Sequence, residues 1–221
     1  MMAADSLVNR LHINPKHELA SNTPFMLRML FKKENDLPEK TDIVNLFIQY
    51  IPLYKAMETR LEELTKERAV SYLNIFCKEP WLNRSHLVEE DISEMINYVP
   101  DEEQHKLLPI DYTFPATKAM ANAVEKADPM HLLTYLTVRN LADCYGGQAL
   151  GRLNQRAFGE EHPLSARFYK SASRQARNLG EEVNNLNLSR EEEHKLMQIS
   201  DDFFQMHIDL FEEMEARRHN A

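Results

Sequence analysis

Glycine is scarce in this chain, five residues among 221, and no spacing among them builds a loop that would cradle a phosphate. Cysteine is scarcer still, with Cys77 and Cys144 the whole supply. Two thiols in a chain of this size give no disulfide framework and fit a reducing compartment. Long apolar runs are absent, and none approaches the roughly 20 residues that cross a membrane. The opening Met1-Met2-Ala3-Ala4-Asp5-Ser6 lacks the basic and apolar regions of a secretory signal. The far end, Glu215-Ala216-Arg217-Arg218-His219-Asn220-Ala221, is polar. A soluble, cytoplasmic protein is expected. Cations are outnumbered, 26 Lys and Arg against 35 Asp and Glu for a net charge of −9. That balance argues against a general nucleic-acid binder.

What the chain has in abundance is Leu, Glu, Lys, Ala and Met, with few clustered β-branched residues, so an all-α protein is expected. Its length suits one core, predicting a single domain over residues 1–221. Short helices are expected over 6–11, over 14–20 (Asn14 as cap, Pro15 in the first turn) and over 25–31. A long amphipathic helix spans 40–66, with a kink predicted at Pro52. Further helical pieces follow over 69–76 and 82–98, then a proline- and charge-rich loop over 99–115 and a helix over 116–126. A helix over 166–179 is expected to end near Gly180. Ser189 reads as the cap of the last helix, which has acids in its first turn and Leu196, Ile199, Phe203, Met206, Leu210 and Met214 facing inward.

The segment from 132 to about 158 organises the rest. Apolar residues recur there at three- and four-residue spacing on either side of Gly146-Gly147. Each glycine inside a helix costs about 1 kcal/mol relative to alanine, so an adjacent pair points to a kink or to backbone lying against something flat. A notch for helix packing is the competing reading. Arg139 and Asp143 stand four apart and share a face just before the pair.

Residues 139–148, Arg-Asn-Leu-Ala-Asp-Cys-Tyr-Gly-Gly-Gln, resemble the distal-helix signature of heme oxygenases, usually R-Y-L-G-D-L-S-G-G-Q. The departures are Asn140, Ala142 and the Cys144-Tyr145 pair; Ala142 adds a methyl where the family has glycine. The segment Lys16-His17-Glu18-Leu19-Ala20-Ser21-Asn22-Thr23-Pro24-Phe25-Met26 resembles the family's proximal segment, V-H-T-x-A-E-N-x-x-F-M, with Ser21 where glutamate is frequent. Leu53-Tyr54-Lys55-Ala56-Met57-Glu58 looks like the family's I-Y-x-A-L-E.

The resemblance implies a heme oxygenase-like helical bundle with a kinked distal helix, and heme sandwiched between the His17 helix and Gly146-Gly147. His17 would be the axial iron ligand and Met26 would line the pocket. Arg10, Lys16 and the more distant Arg174 and Arg177 are the candidates for holding the heme propionates. Asp143 would relay a proton through an ordered water, with Arg139 and Tyr54 continuing the network. The reaction implied is O2- and reductant-dependent cleavage of heme to biliverdin, ferrous iron and carbon monoxide. Electrons would come from an external reductase or ferredoxin, and the chain would be a monomer or weak dimer. The alternative is a non-catalytic heme-binding or heme-sensing protein on the same scaffold. A di-iron oxygenase is a third reading, because Glu102-x-x-His105 and Glu191-x-x-His194 have E-x-x-H spacing. Both runs read as solvated charge. His207, on the inward side of the last helix, reads as a core histidine, with a reach into the same pocket as the alternative.

Overall fold

The computed structural model describes residues 6–30, 38–66, 71–78, 84–159, 168 and 176–220. It is all-α, and no strand occurs among the described residues. Three short helices open the chain: α1 (Leu7–His12), α2 (Pro15–Ser21) and α3 (Pro24–Leu30). The long α4 (Lys40–Lys66) follows, then a 3-10 turn (Ser71–Phe76), α5 (Arg84–Met95), α6 (Pro115–Glu125), α7 (Pro129–Tyr145) and α8 (Gly147–Phe158). The chain closes with α9 (Ala176–Asn184) and α10 (Arg190–Asn220).

At the centre lies α4, packed against α5, α6 and α7, while α10 lies across α2, α3, α6 and α7. From Ile43 to Ile51 every residue of α4 is buried, the pattern of a helix enclosed on all sides. Pro52 sits inside this helix without ending it.

The loop expected over 99–115 is present apart from one 3-10 turn, and two buried amides on α4 fix its path. Asn45 Nδ2 donates to the Lys106 carbonyl at 3.1 Å, and its Oδ1 accepts from Leu108 N at 2.8 Å. One turn on, Gln49 Nε2 donates to the Tyr112 carbonyl at 3.0 Å, and its Oε1 accepts from Phe114 N at 2.9 Å. Each side chain thus supplies the backbone partners that a sheet would supply, and the segment forms 3-10 turns at Ile96–Tyr98 and Asp101–Lys106. The expected stop near Gly180 is corrected. Gly180 is buried inside α9, which continues to Asn184, and Asn184 Oδ1 accepts from Val8 N at 3.0 Å. The start predicted for that helix lies outside the described residues, as does Arg174.

Caps fix the other boundaries. Asn14 Oδ1 accepts from Lys16 N at 2.8 Å ahead of Pro15, and Asp128 Oδ1 accepts from His131 N at 2.8 Å ahead of Pro129. Ser189 and Glu192 form a reciprocal capping box, with Glu192 N donating to Ser189 Oγ and Ser189 N to Glu192 Oε2. The three opening helices, six or seven residues each, are too short to stand alone. Long polar side chains stitch them to α10: Arg10 to Glu193 at 2.6 Å, Asn14 to Asp201 at 2.7 Å, Lys16 to Gln205 and Arg28 to Glu215.

Candidate active site

The break between α7 and α8 falls at the glycine pair, and it is a bend more than a rupture. Gly146 keeps right-handed helical angles (φ −76°, ψ −36°) and still donates to the Ala142 carbonyl at 2.9 Å. Its own carbonyl then accepts from Ala149 N, a tighter turn. A side chain at Gly146 would put its Cβ 3.2 Å from the Ala142 carbonyl oxygen, closer than an ordinary contact. Gln148 reaches back across the bend, its Nε2 donating to the Cys144 carbonyl at 3.1 Å.

This bend faces a cavity of about 470 Å³ enclosed by α1–α3, α7, α8 and α10, within the usual range for small-molecule sites. One wall carries His17, Ala20 and Met26; the opposite wall carries Arg139, Ala142, Asp143, Gly146 and Gly147; Tyr50, Phe204 and His207 also line it. Tyr54 stands behind Asp143. The imidazole and the bare helix backbone thus line the same space. Ala142 does put its methyl on that wall, and Tyr145, 43% exposed, also lines the space.

His17 is half-buried, its ring between those of His12 (centroids 5.5 Å apart) and Phe204 (5.4 Å). Burial depresses its pKa and the neighbouring His12 depresses it further, while a hydrogen bond to the His12 backbone works in the opposite sense. The ring is thereby favoured as neutral imidazole, the form that binds metal. Ser21, which stands where glutamate is frequent, turns its Oγ to the His17 carbonyl at 3.0 Å. The ring's own hydrogen bond goes to the His12 backbone.

Asp143 is fully buried and gathers three donors from three helices. Arg139 Nη2 donates to Oδ1, while Tyr54 Oη and Arg84 Nη2 (3.0 Å) donate to Oδ2. A carboxylate accepts about four hydrogen bonds, so one position on Oδ1 is left. Burial raises the Tyr54 pKa, and the Asp143 charge adds to that against the lowering by Arg139; the phenol stays protonated and donates. Cys144, pushed up to about 12 by burial, stays an inert thiol.

Arg84 is the functional neighbour that sequence reasoning missed. It is 1% exposed, stacks 3.9 Å over the Phe168 ring and donates to the Phe168 carbonyl at 2.8 Å. Glu58 holds the start of α5 in place, its carboxylate accepting from Ser85 N at 2.9 Å and Ser85 Oγ at 2.5 Å. An arginine in a polar stretch reads as solvated, and no periodicity links it to a carboxylate 59 positions later. Tyr50 was missed as a contact too, although its place one turn before Tyr54 was a usable signal; Arg139 lies 4.2 Å over its ring.

His207 is buried and also lines the cavity, and its Nε2 is 3.5 Å from Arg139 Nη1. Arg10 and Lys16 do not line the cavity. Each is drawn to α10 instead, by Glu193 and Gln205. The Arg177 side chain lies outside the described residues. Glu102, His105, Glu191 and His194 are on exposed turns as expected, and no group of three metal-binding side chains occurs among the described residues.

Burial and the adjacent Arg139 cation lower the His207 pKa from 6.5 to about 4. Between those values the unfolded chain takes up a proton that the folded chain refuses. The stability difference is therefore full above pH 6.5 and lost as pH falls toward 4, amounting to about 3 kcal/mol. His17, shifted the same way, adds to the slope. Urea unfolding at neutral pH and near pH 4 is expected to show this loss in the wild type and a smaller one in His207→Gln.

The fold is shared with solved structures of bacterial heme oxygenases. Heme oxygenase-1 from the cyanobacterium Synechocystis, in complex with heme, superposes with a TM-score of 0.73 at 21% identity, covering 96% of this chain and 93% of that one. Heme oxygenase-2 from Synechocystis, in complex with heme and NO, gives 0.73 at 21% identity over 96% and 86%. The heme oxygenase of Leptospira interrogans gives 0.72 at 20% identity over 94% and 99%. No curated protein matches the sequence. Residues 10–213 match the family model for heme oxygenase, and on the strength of that match the chain belongs to the heme oxygenase family.

Proposed function

We propose that the protein cleaves heme to biliverdin, ferrous iron and carbon monoxide, using O2 and electrons from a separate ferredoxin or reductase. The observation that carries the reading is the cavity itself, with a neutral imidazole on one side and glycine backbone beside a buried carboxylate on the other. Such a space fits a flat, largely apolar ring with an iron at its centre. Heme, as substrate, would bring both the oxygen-activating iron and the carbon that is oxidised.

The chain's own residues then divide the work. His17 would hold the heme iron through the ring nitrogen not bonded to the His12 backbone. Gly146 and Gly147 would leave their side of the heme clear of side chains, and Met26 would pack on the ring. Asp143 holds a water on its remaining Oδ1 position and passes a proton through it. Arg139, Arg84 and Tyr54 hold that carboxylate in place through their hydrogen bonds. We place this activity in the cytoplasm, in a single domain acting as a monomer or weak dimer.

A heme-binding protein without turnover is the second reading, favoured by Ala142 on the cavity wall and by the three protein donors that already occupy Asp143. Titration with hemin, followed by ascorbate or ferredoxin with its reductase, separates the two. A Soret band that decays into a biliverdin spectrum is the expected outcome. A Soret band that persists under O2 and reductant would assign the chain to binding alone.

A further inference from the structure

Each nitrogen of the Arg139 guanidinium faces a different partner. Nε donates to Tyr54 Oη at 2.7 Å, Nη2 donates to Asp143, and Nη1 meets His207 Nε2 at 3.5 Å. The cation lies over the Tyr50 ring. A guanidinium is a rigid planar fork, so the stacked ring sets its plane and the three partners set its rotation. Tyr54 and Asp143 also bond each other and hold the edge of the fork that carries Nε and Nη2, while the Tyr50 side chain adds a hydrogen bond to the guanidinium and His207 faces Nη1.

The chemistry of that third contact is dictated by the far side of the ring. His207 Nδ1 lies 2.9 Å from the Phe203 carbonyl, which can only accept, so Nδ1 carries the proton and Nε2 presents a lone pair. The ring is held edge-on to Phe203 with centroids 4.7 Å apart, which opposes a flip. We propose that His207 is a positioning residue: as the Nδ1-protonated neutral tautomer it accepts from Arg139 Nη1 and turns the guanidinium so that Nη2 meets Asp143. His207 acts on the carboxylate only through Arg139. The effect on turnover rests on the heme-cleaving reading; the contact itself does not.

Three proteins test it: wild type, His207→Leu, which keeps apolar bulk without an acceptor, and His207→Gln, whose amide oxygen reaches the place of Nε2. In the ligand-free proteins, nitrogen NMR is expected to find the wild-type imidazole neutral and protonated on Nδ1. Arg139 Nη resonances should be sharp in wild type and His207→Gln and broadened in His207→Leu. With hemin, O2 and reductant, His207→Leu should show the wild-type ferric Soret band but turn over about tenfold more slowly, and His207→Gln should recover most of the rate. An imidazole protonated on Nε2, or a leucine variant with unchanged Arg139 resonances and an unchanged rate, would reduce His207 to packing. If the wild type binds hemin without consuming it, the heme-cleaving reading falls, and the NMR results still decide the contact.

Discussion

Asp143→Ala is expected to lose both stability and turnover, and Asp143→Asn separates the two losses. Two guanidiniums converge on this one carboxylate from different helices, Arg84 at 1% exposure and Arg139 at 5%. Removing a partner from a buried ion pair costs about 3–5 kcal/mol, because the cation left behind has neither anion nor water. The alanine variant strands two such cations, so its melting temperature should fall well below that of the wild type. Asparagine keeps the volume and one acceptor oxygen, and its melting temperature should fall less. Neither variant has a carboxylate to pass a proton, so biliverdin formation should drop by about 10²–10⁴-fold in both, while hemin still binds to Asp143→Asn with a Soret band. Melting curves, hemin titrations and single-turnover spectra on the pair provide the measurement. An asparagine variant with the wild-type rate would remove Asp143 from the proton path. An alanine variant with the wild-type melting curve would mean that the stranded cations had found other partners.

His17→Ala is expected to abolish the histidine-ligated spectrum of the hemin complex while leaving a weaker, nonspecific association with the apolar cavity. Free imidazole, small enough for the space vacated between His12 and Phe204, should restore much of the original spectrum. The informative rival is His12, which also lines the cavity. If His17→Ala kept a histidine-ligated spectrum and the double variant with His12→Ala lost it, the axial role would pass to His12.

Both predictions join residues that were legible in the sequence to residues that were not. The Gly146-Gly147 bend, the Arg139–Asp143 pair and the long α4 were readable because helical spacing places neighbours three and four apart, and their roles came from resemblance to a family. Arg84 was not readable, because its meaning depends on Phe168 and Asp143 arriving from distant parts of the chain. The loop expected over 99–115 holds apart from one 3-10 turn, but what fixes its path was not readable. Proline and charge do mark that stretch as irregular, but two amides on α4 give its backbone the partners that order it. His207 was legible as an inward residue of α10 with two possible surroundings, and the fold shows that it is both buried and at the cavity. Arg10 and Lys16 carried the charge expected for a carboxylate clamp, and acceptors on α10 claimed them instead.

The wall that carries His17 consists of three helices of six or seven residues riveted to α10 by side chains. Segments this short gain little from their own backbone bonds, so the free energy needed to peel them away is far below that of unfolding α4 or α7. Two of the rivets, Arg10–Glu193 and Arg28–Glu215, are partly exposed ion pairs that salt loosens. On the proposed reading, a rigid, planar guest would enter by the side that carries His17. An occupied cavity, in turn, would clamp that side shut and make the guest a structural member of the wall it entered through.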